Sequence, residues 1–179
     1  VIRRVWRAAA CCALAAPLFL TGCASDRVAG VQRRGASTAA QGHAPPGCAF
    51  SLGNIDDRRD AQSLGQMGRT NVDGAGFDEW LRSGIASIPG YTRDASAPAI
   101  RVTVLKAYIH GLYSLKSANL VVRVQFPSEG AGETTKTYRG FDDSMNWSTS
   151  ESEIQEAFNK ALDGLIAQIG TDLKKRCKG

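Results

Sequence analysis

The chain has 179 residues, 43% of them hydrophobic and 22% charged, with a formal net charge of +5, which is enough apolar material for a single packed core. From Cys48 onward 16 basic residues face 16 acidic ones. The body of the chain therefore lacks the clustered positive charge that nucleic-acid binding needs. Its five cysteines and two histidines show neither a CxxC nor a Cys/His group at zinc-ligand spacing, and no cofactor motif accompanies them.

The first segment opens with Arg3, Arg4 and Arg7 and then runs apolar from Ala8 to Leu20, 13 residues. A membrane-spanning helix needs about 20. A basic start, a short apolar core and a small-residue exit describe a secretory signal peptide over residues 1–22. Its exit, Leu20-Thr21-Gly22-Cys23, resembles a lipobox, the bacterial lipoprotein processing site. That resemblance implies cleavage before Cys23, a diacylglycerol on its sulfur, and a fatty acid such as palmitate on the new amino group. By similarity to lipoprotein sorting signals, Ala24 after the cysteine implies delivery to the outer membrane, with the protein facing the periplasm. Removing residues 1–22 leaves 19 basic against 17 acidic residues.

Residues 23–47 are rich in Ala, Gly, Ser, Gln and Pro without apolar periodicity, and they read as a flexible tether spanning roughly 25–30 Å on average. A domain is expected over 48–179. "CAFSLGNI" (residues 48–55) reads as a strand closed by "DDRRD", and the glycine-containing stretch to Asp73 reads as loop. Phe77, Trp80, Leu81, Ile85 and Ile88 recur at helical spacing, with Asp73 as the expected cap and Pro89-Gly90 as the stop. Alternation then predicts a strand on Ile100, Val102 and Val104 and another on Leu120, Val122, Val124 and Phe126. A turn at "SEGAGE" (128–133) leads to a more polar strand from Thr134 to Phe141. Ser150 and Glu153 form a capping box for a last helix with an apolar stripe through Ile154, Phe158, Ala161, Leu162, Leu165, Ile166, Ile169 and Leu173. Gly164 and Gly170 in that helix suggest close packing on the sheet.

The order β-α-β-β-β-α predicts a two-layer α+β domain: an antiparallel sheet of about four strands, covered on one face by two helices and polar on the other. The lipobox, "NIDDRRD", "FDEWLRSGIASIPGY", the strand pair "IRVTVLKAYIHGLYSL" and "ANLVVRVQF", "TYRG" and the final helix together resemble the YajG-type lipoproteins of Gram-negative bacteria. The resemblance implies a compact α+β lipoprotein facing the periplasm, and it supplies no catalytic residues.

Cys48 and Cys177 are the two cysteines left outside the signal segment and the lipid site. In an oxidising compartment they are expected to form a disulfide. His110 is the one histidine of the domain, and no GxSxG elbow accompanies it. "DDRRD" and Asp142-Asp143 offer paired carboxylates that also read as turn residues and solvated charge. Leu112, Tyr113 and Leu115 read either as an exposed hairpin patch or as a strand continuing into the core. Arg101, Arg123 and Arg139 are expected on the open sheet face as a basic stripe. The resulting expectation is a non-enzymatic, lipid-anchored envelope protein that binds an envelope partner protein. The alternative is a small periplasmic hydrolase, marked by a deep pocket at His110 or the aspartates, or a lipid carrier, marked by an apolar cavity between helices and sheet.

Overall fold

The computed structural model describes residues 27–28, 30–33, 48–112, 114–127 and 134–177. Cys23, the signal segment, Tyr113, the 128–133 turn and most of the 23–47 stretch lie outside them. In chain order the elements are β1 (Arg27–Val28), β2 (Ser51–Asp57), β3 (Gly65–Met67), β4 (Thr70–Val72), α1 (Phe77–Ala86), β5 (Ala99–Leu112), β6 (Leu115–Phe126), β7 (Thr134–Met145) and α2 (Glu151–Arg176).

The expected meander is present as β5-β6-β7, paired antiparallel along its full length. Each strand is longer than its alternation indicates. In β5 the ladder shifts register between Val104 and Lys106. That bulge reverses the side-chain parity, so Val102 and Val104 before it and Ala107 and Ile109 after it all point into the core. An unbroken alternation would have pointed Ala107 and Ile109 outward.

The sheet is larger and more mixed than the expected four antiparallel strands: seven strands join it among the described residues. β2 and β3 both lie parallel to β5, against its beginning and its end, and β1 lies parallel to β4. A parallel neighbour requires a crossover, and α1 lies within the connection from β2 to β5. The segment read as loop contains the hairpin β3-β4, whose Met67 and Val72, with Leu64 just before it, are fully buried. Strands of three residues are too short for alternation to reveal. The first strand begins later than expected and runs on through Asp57, and Asp73 closes a turn onto the Ala75 N–H (2.9 Å) while Gly76 caps α1.

Both helices cover one sheet face, as expected. Ile154, Phe158, Ala161, Leu162, Leu165 and Ile169 of α2 are all fully buried, with α2 lying over β7 and β6. The approach is closest at Gly140 of β7, where a Cβ would stand 1.9 Å from the Ala161 carbonyl oxygen. Gly84 of α1 does the same for the helix pair, facing Leu162 at 2.7 Å. Gly164, expected to serve close packing, has nothing within 4 Å.

Part of the stretch read as tether belongs to the folded unit. Gln155 on α2 donates to the Gly30 carbonyl (2.6 Å) and accepts from the Gln32 N–H (2.8 Å). One turn on, Asn159 donates to the Gln32 carbonyl (2.9 Å) and accepts from the Trp80 indole (3.2 Å). Arg33 pairs with Asp163 at 2.6 Å, and Val31 is buried beneath the strap. The domain therefore starts before Cys48.

Gly140→Ala is expected to destabilise the protein by roughly 1–3 kcal/mol, the usual cost of overpacking. Gly164→Ala, on an exposed helix surface, is expected to stabilise it by about 0.5–1 kcal/mol. Urea midpoints of the two variants check both signs.

Candidate functional site

The face of β5-β6-β7 turned away from α2 is built in cross-strand rows. Arg101 stands opposite Gln125 and Thr135; Thr103 opposite Arg123 and Thr137; Lys106 opposite Val121 and Arg139. Tyr108, Asn119 and Phe141 form the next row, then His110, Ser117 and Asp143, then Leu115 and Met145. Arg101, Arg123 and Arg139 thus step diagonally across three neighbouring rows on one face, with Lys106 in the third, and all four are exposed.

The second half of the face is not the polar surface expected. Among the described residues, the exposed large hydrophobic side chains are Tyr108, Leu115, Phe141, Met145 and Trp147, with Trp147 80% and Phe141 56% accessible. All five fall in these last rows or just past β7. The sequence signal for Leu115 was the hairpin alternative, and both readings hold in part: the strands do continue to Leu112 and from Leu115, yet Leu115 stays outside. Phe141, Met145 and Trp147 stand in a polar stretch, and only the register of β7 places them beside Tyr108 and Leu115.

A hydrogen-bonded chain crosses the boundary between the two halves. Arg139 donates to Asn119 Oδ1 (2.5 Å), Asn119 to Ser117 Oγ (2.9 Å), and Ser117 to Asp143 Oδ1 (2.5 Å). The Arg139 guanidinium also lies over the Phe141 ring, 5.4 Å from its centroid. His110 stacks on Tyr108 with centroids 5.7 Å apart. A serine nucleophile needs its hydroxyl proton directed at the imidazole. Here that proton goes to a carboxylate, in a chain that fixes the face. Asp142, the neighbour of Asp143, points to the other side of the sheet and accepts from Ser144 (2.7 Å).

The other acidic cluster pairs with its own arginines. Arg59 forks onto Asp57 at 2.7–3.1 Å and rests its guanidinium 4.2 Å from the Phe77 ring centroid. Its hydrogen bonds hold the Asp57 carboxyl below the ordinary carboxylate range. Arg58 pairs with Asp56 at 2.6 Å.

The end of the face is held by one carboxylate. Glu153 accepts from the backbone N–H of Trp147 (2.9 Å) and from Ser148 N–H and Oγ (both 2.9 Å), and completes the capping box with Ser150. The buried Lys116 amine donates to the Met145 carbonyl and lies 3.8 Å from Glu153. The Trp147 N–H, with the Ser148 donors and against the opposing cost of burial, brings the Glu153 carboxyl down from 4.5 to about 2.

Cys48 and Cys177 lie side by side. Both thiols are free in this structure, so the expected bridge is not formed in it. Burial, and then hydrogen bonding with Cys48, pushes the Cys177 thiol up to about 11. The pair borders an apolar groove of about 480 Å³ between α2 and the turn after α1, lined by Ile88, Pro89, Ile166 and Leu173, with Lys174 among its walls. The groove lies beside the helices, whereas the carrier reading asked for a cavity between helices and sheet. Among the described residues no group of metal-ligating side chains is present and no helix is long and apolar enough to cross a membrane.

No family model matches the chain, and no curated protein matches it. The YajG-type resemblance thus remains a reading of the residues. Among solved structures, a Xanthomonas campestris protein of the DUF330 family is similar at 12% identity over 73% of this chain and 86% of its own, with a TM-score of 0.49. A minor lipoprotein from Acinetobacter baumannii is similar at 14% identity over 73% and 92%, TM-score 0.44. A candidate lipoprotein from Caulobacter crescentus CB15 is similar at 14% over 65% and 90%, TM-score 0.40. Likeness this loose carries neither fold nor function to this chain.

Glu153→Ala is expected to cost about 1–2 kcal/mol at neutral pH, the range for losing a strong cap. The folded carboxyl titrates below its ordinary 4.5, at about 2. Its stabilisation is therefore complete above about pH 4.5 and is lost as pH falls toward 2. The gap in urea midpoint between wild type and Glu153→Ala should narrow steadily across that window.

Proposed function

We propose that this protein is a lipid-anchored protein of the bacterial envelope, acylated at Cys23, facing the periplasm from the outer membrane, and acting by binding an acidic partner protein rather than by catalysis. The observation that carries the partner reading is the face of β5-β6-β7 that no described element covers, where register aligns Arg101, Arg123 and Arg139 with Lys106. Separated cations on a rigid sheet favour an extended anionic surface over a single small anion, and such complementarity sets both approach and register. The anchoring half rests on the Leu20–Cys23 motif after a short apolar run.

Two measurements separate these halves. Cell fractionation of Cys23→Ser exported behind an ordinary cleavable signal peptide in place of residues 1–22 is expected to release the protein from the membrane fraction; retention there overturns the anchor. A photo-crosslinker at Val121, half-buried in the middle of the basic rows, is expected to capture an acidic envelope protein in wild type. It should lose that capture when the three arginines are changed to glutamate, with the strongest contrast at low salt. Unchanged crosslinking in the charge-reversed protein overturns the stripe.

The adjacent thiols complete the reading. In the periplasm, thiol–disulfide exchange with a disulfide-bearing oxidant would pass two electrons and two protons from Cys48 and Cys177 to that oxidant, leaving one S–S bond in the protein. Closing a loop of about 130 residues is worth roughly 5 kcal/mol in the chain-entropy limit. Thiol titration of unreduced, denatured protein from the envelope should find neither thiol reactive, and two reactive thiols would rule the bridge out.

A further inference from the structure

β1 fixes where the anchor leaves the domain. Arg27 pairs with Asn71, which pairs with Gln66, which pairs with His110 near the end of β5. β1 runs parallel to β4, and β4 antiparallel to β3, which is itself parallel to β5. β1 therefore begins at the end of the sheet where β5 finishes. Three residues lie between Cys23 and Arg27, and the four Cα-to-Cα steps they make reach at most about 14 Å. The lipid-bearing position is thus confined to the neighbourhood of that one end, whatever path those residues take. The strap clamped by Gln155 and Asn159 just after β1 keeps this exit in place.

The same end carries the exposed apolar side chains. Leu115 and Met145 face each other in the last row of the sheet, and Trp147 follows in the loop that Glu153 holds. The β3-β4 turn adjoins that loop: a Cβ on Gly68 would lie 3.7 Å from Thr149 Cγ2. Phe141 and Tyr108 lie two rows further down the open face, and the arginines begin beyond them. Exposed side chains therefore grade from apolar and aromatic at the anchor end to cationic away from it.

We infer that this end of the sheet is seated on the bilayer that holds the lipid, with Leu115, Met145 and Trp147 in the headgroup boundary. The inference rests on the lipid-anchor reading above. A link of three residues keeps the end of the domain against the surface. Exposed apolar residues there lose water, and an indole is the side chain best suited to the interface. The basic rows are thereby held clear of the membrane and open sideways to a protein.

The test uses the full, acylated protein in vesicles of phosphatidylethanolamine and phosphatidylglycerol, with and without bromine on the acyl chains. Processing removes Trp6, leaving the core residue Trp80 and the exposed Trp147. Brominated vesicles are expected to quench the Trp147 emission. Trp147→Phe should leave only the unquenched Trp80 signal, and Leu115→Ser with Met145→Ser should reduce quenching of Trp147 in an otherwise folded protein. Wild type that co-floats with vesicles yet shows no bromine-dependent quenching overturns the seating while leaving the anchor intact. Cys23→Ser made without residues 1–22, and so without Trp6, that co-floats and is quenched as wild type supports the seating and overturns the anchor. Failure of wild type to co-float overturns both.

Discussion

The approach of α2 to the sheet at Gly140 is the constraint on which the rest depends. The helix can bury its whole apolar stripe because the strand beneath it carries no Cβ where the Ala161 carbonyl comes down. With that contact made, β5, β6 and β7 have one dry face and one face that no described element covers. Everything in that second face follows from the ladder: which arginines share a diagonal, which aromatics share a row, and where the apolar side chains collect.

The same helix governs both attachments at its own N-terminal end. Glu153, in its first turn, ties down the loop bearing Trp147, while Gln155 and Asn159 hold the strap that follows β1. Three polar side chains within two turns thus couple the strap after β1, the end of the sheet and the helix cap. Burying amides is costly unless their groups are bonded, and here Gln155 and Asn159 each bond the strap through both donor and acceptor or share the Trp80 indole.

Residues that resemble catalytic or ligating sets brace the fold. Asp57 and Arg59 form a fork pressed on Phe77, and Ser117 and Asp143 end a hydrogen-bonded chain that begins at Arg139. His110 spends its ring face on Tyr108. In each case residue type was plain from the sequence, but the direction of the proton or the charge depended on which neighbour the fold supplied.

The sequence by itself determined the elements whose signals are local and long: the capping box and stripe of α2, the apolar face of α1, and the β5-β6-β7 meander. Each repeats its pattern over enough residues to be read without knowing its neighbours. It also carried the lipobox-like motif, since a processing site is recognised in an extended chain. Only the tertiary structure decided the parallel pairing of β2 and β3 with β5, the buried β3-β4 hairpin, the docked strap within the supposed tether and the apolar end of the open face. Strands of two or three residues have no period to read, and a one-residue bulge inverts every later side chain. Gln155 and Asn159 look like surface amides until their partners, more than a hundred residues away in sequence, are brought against them.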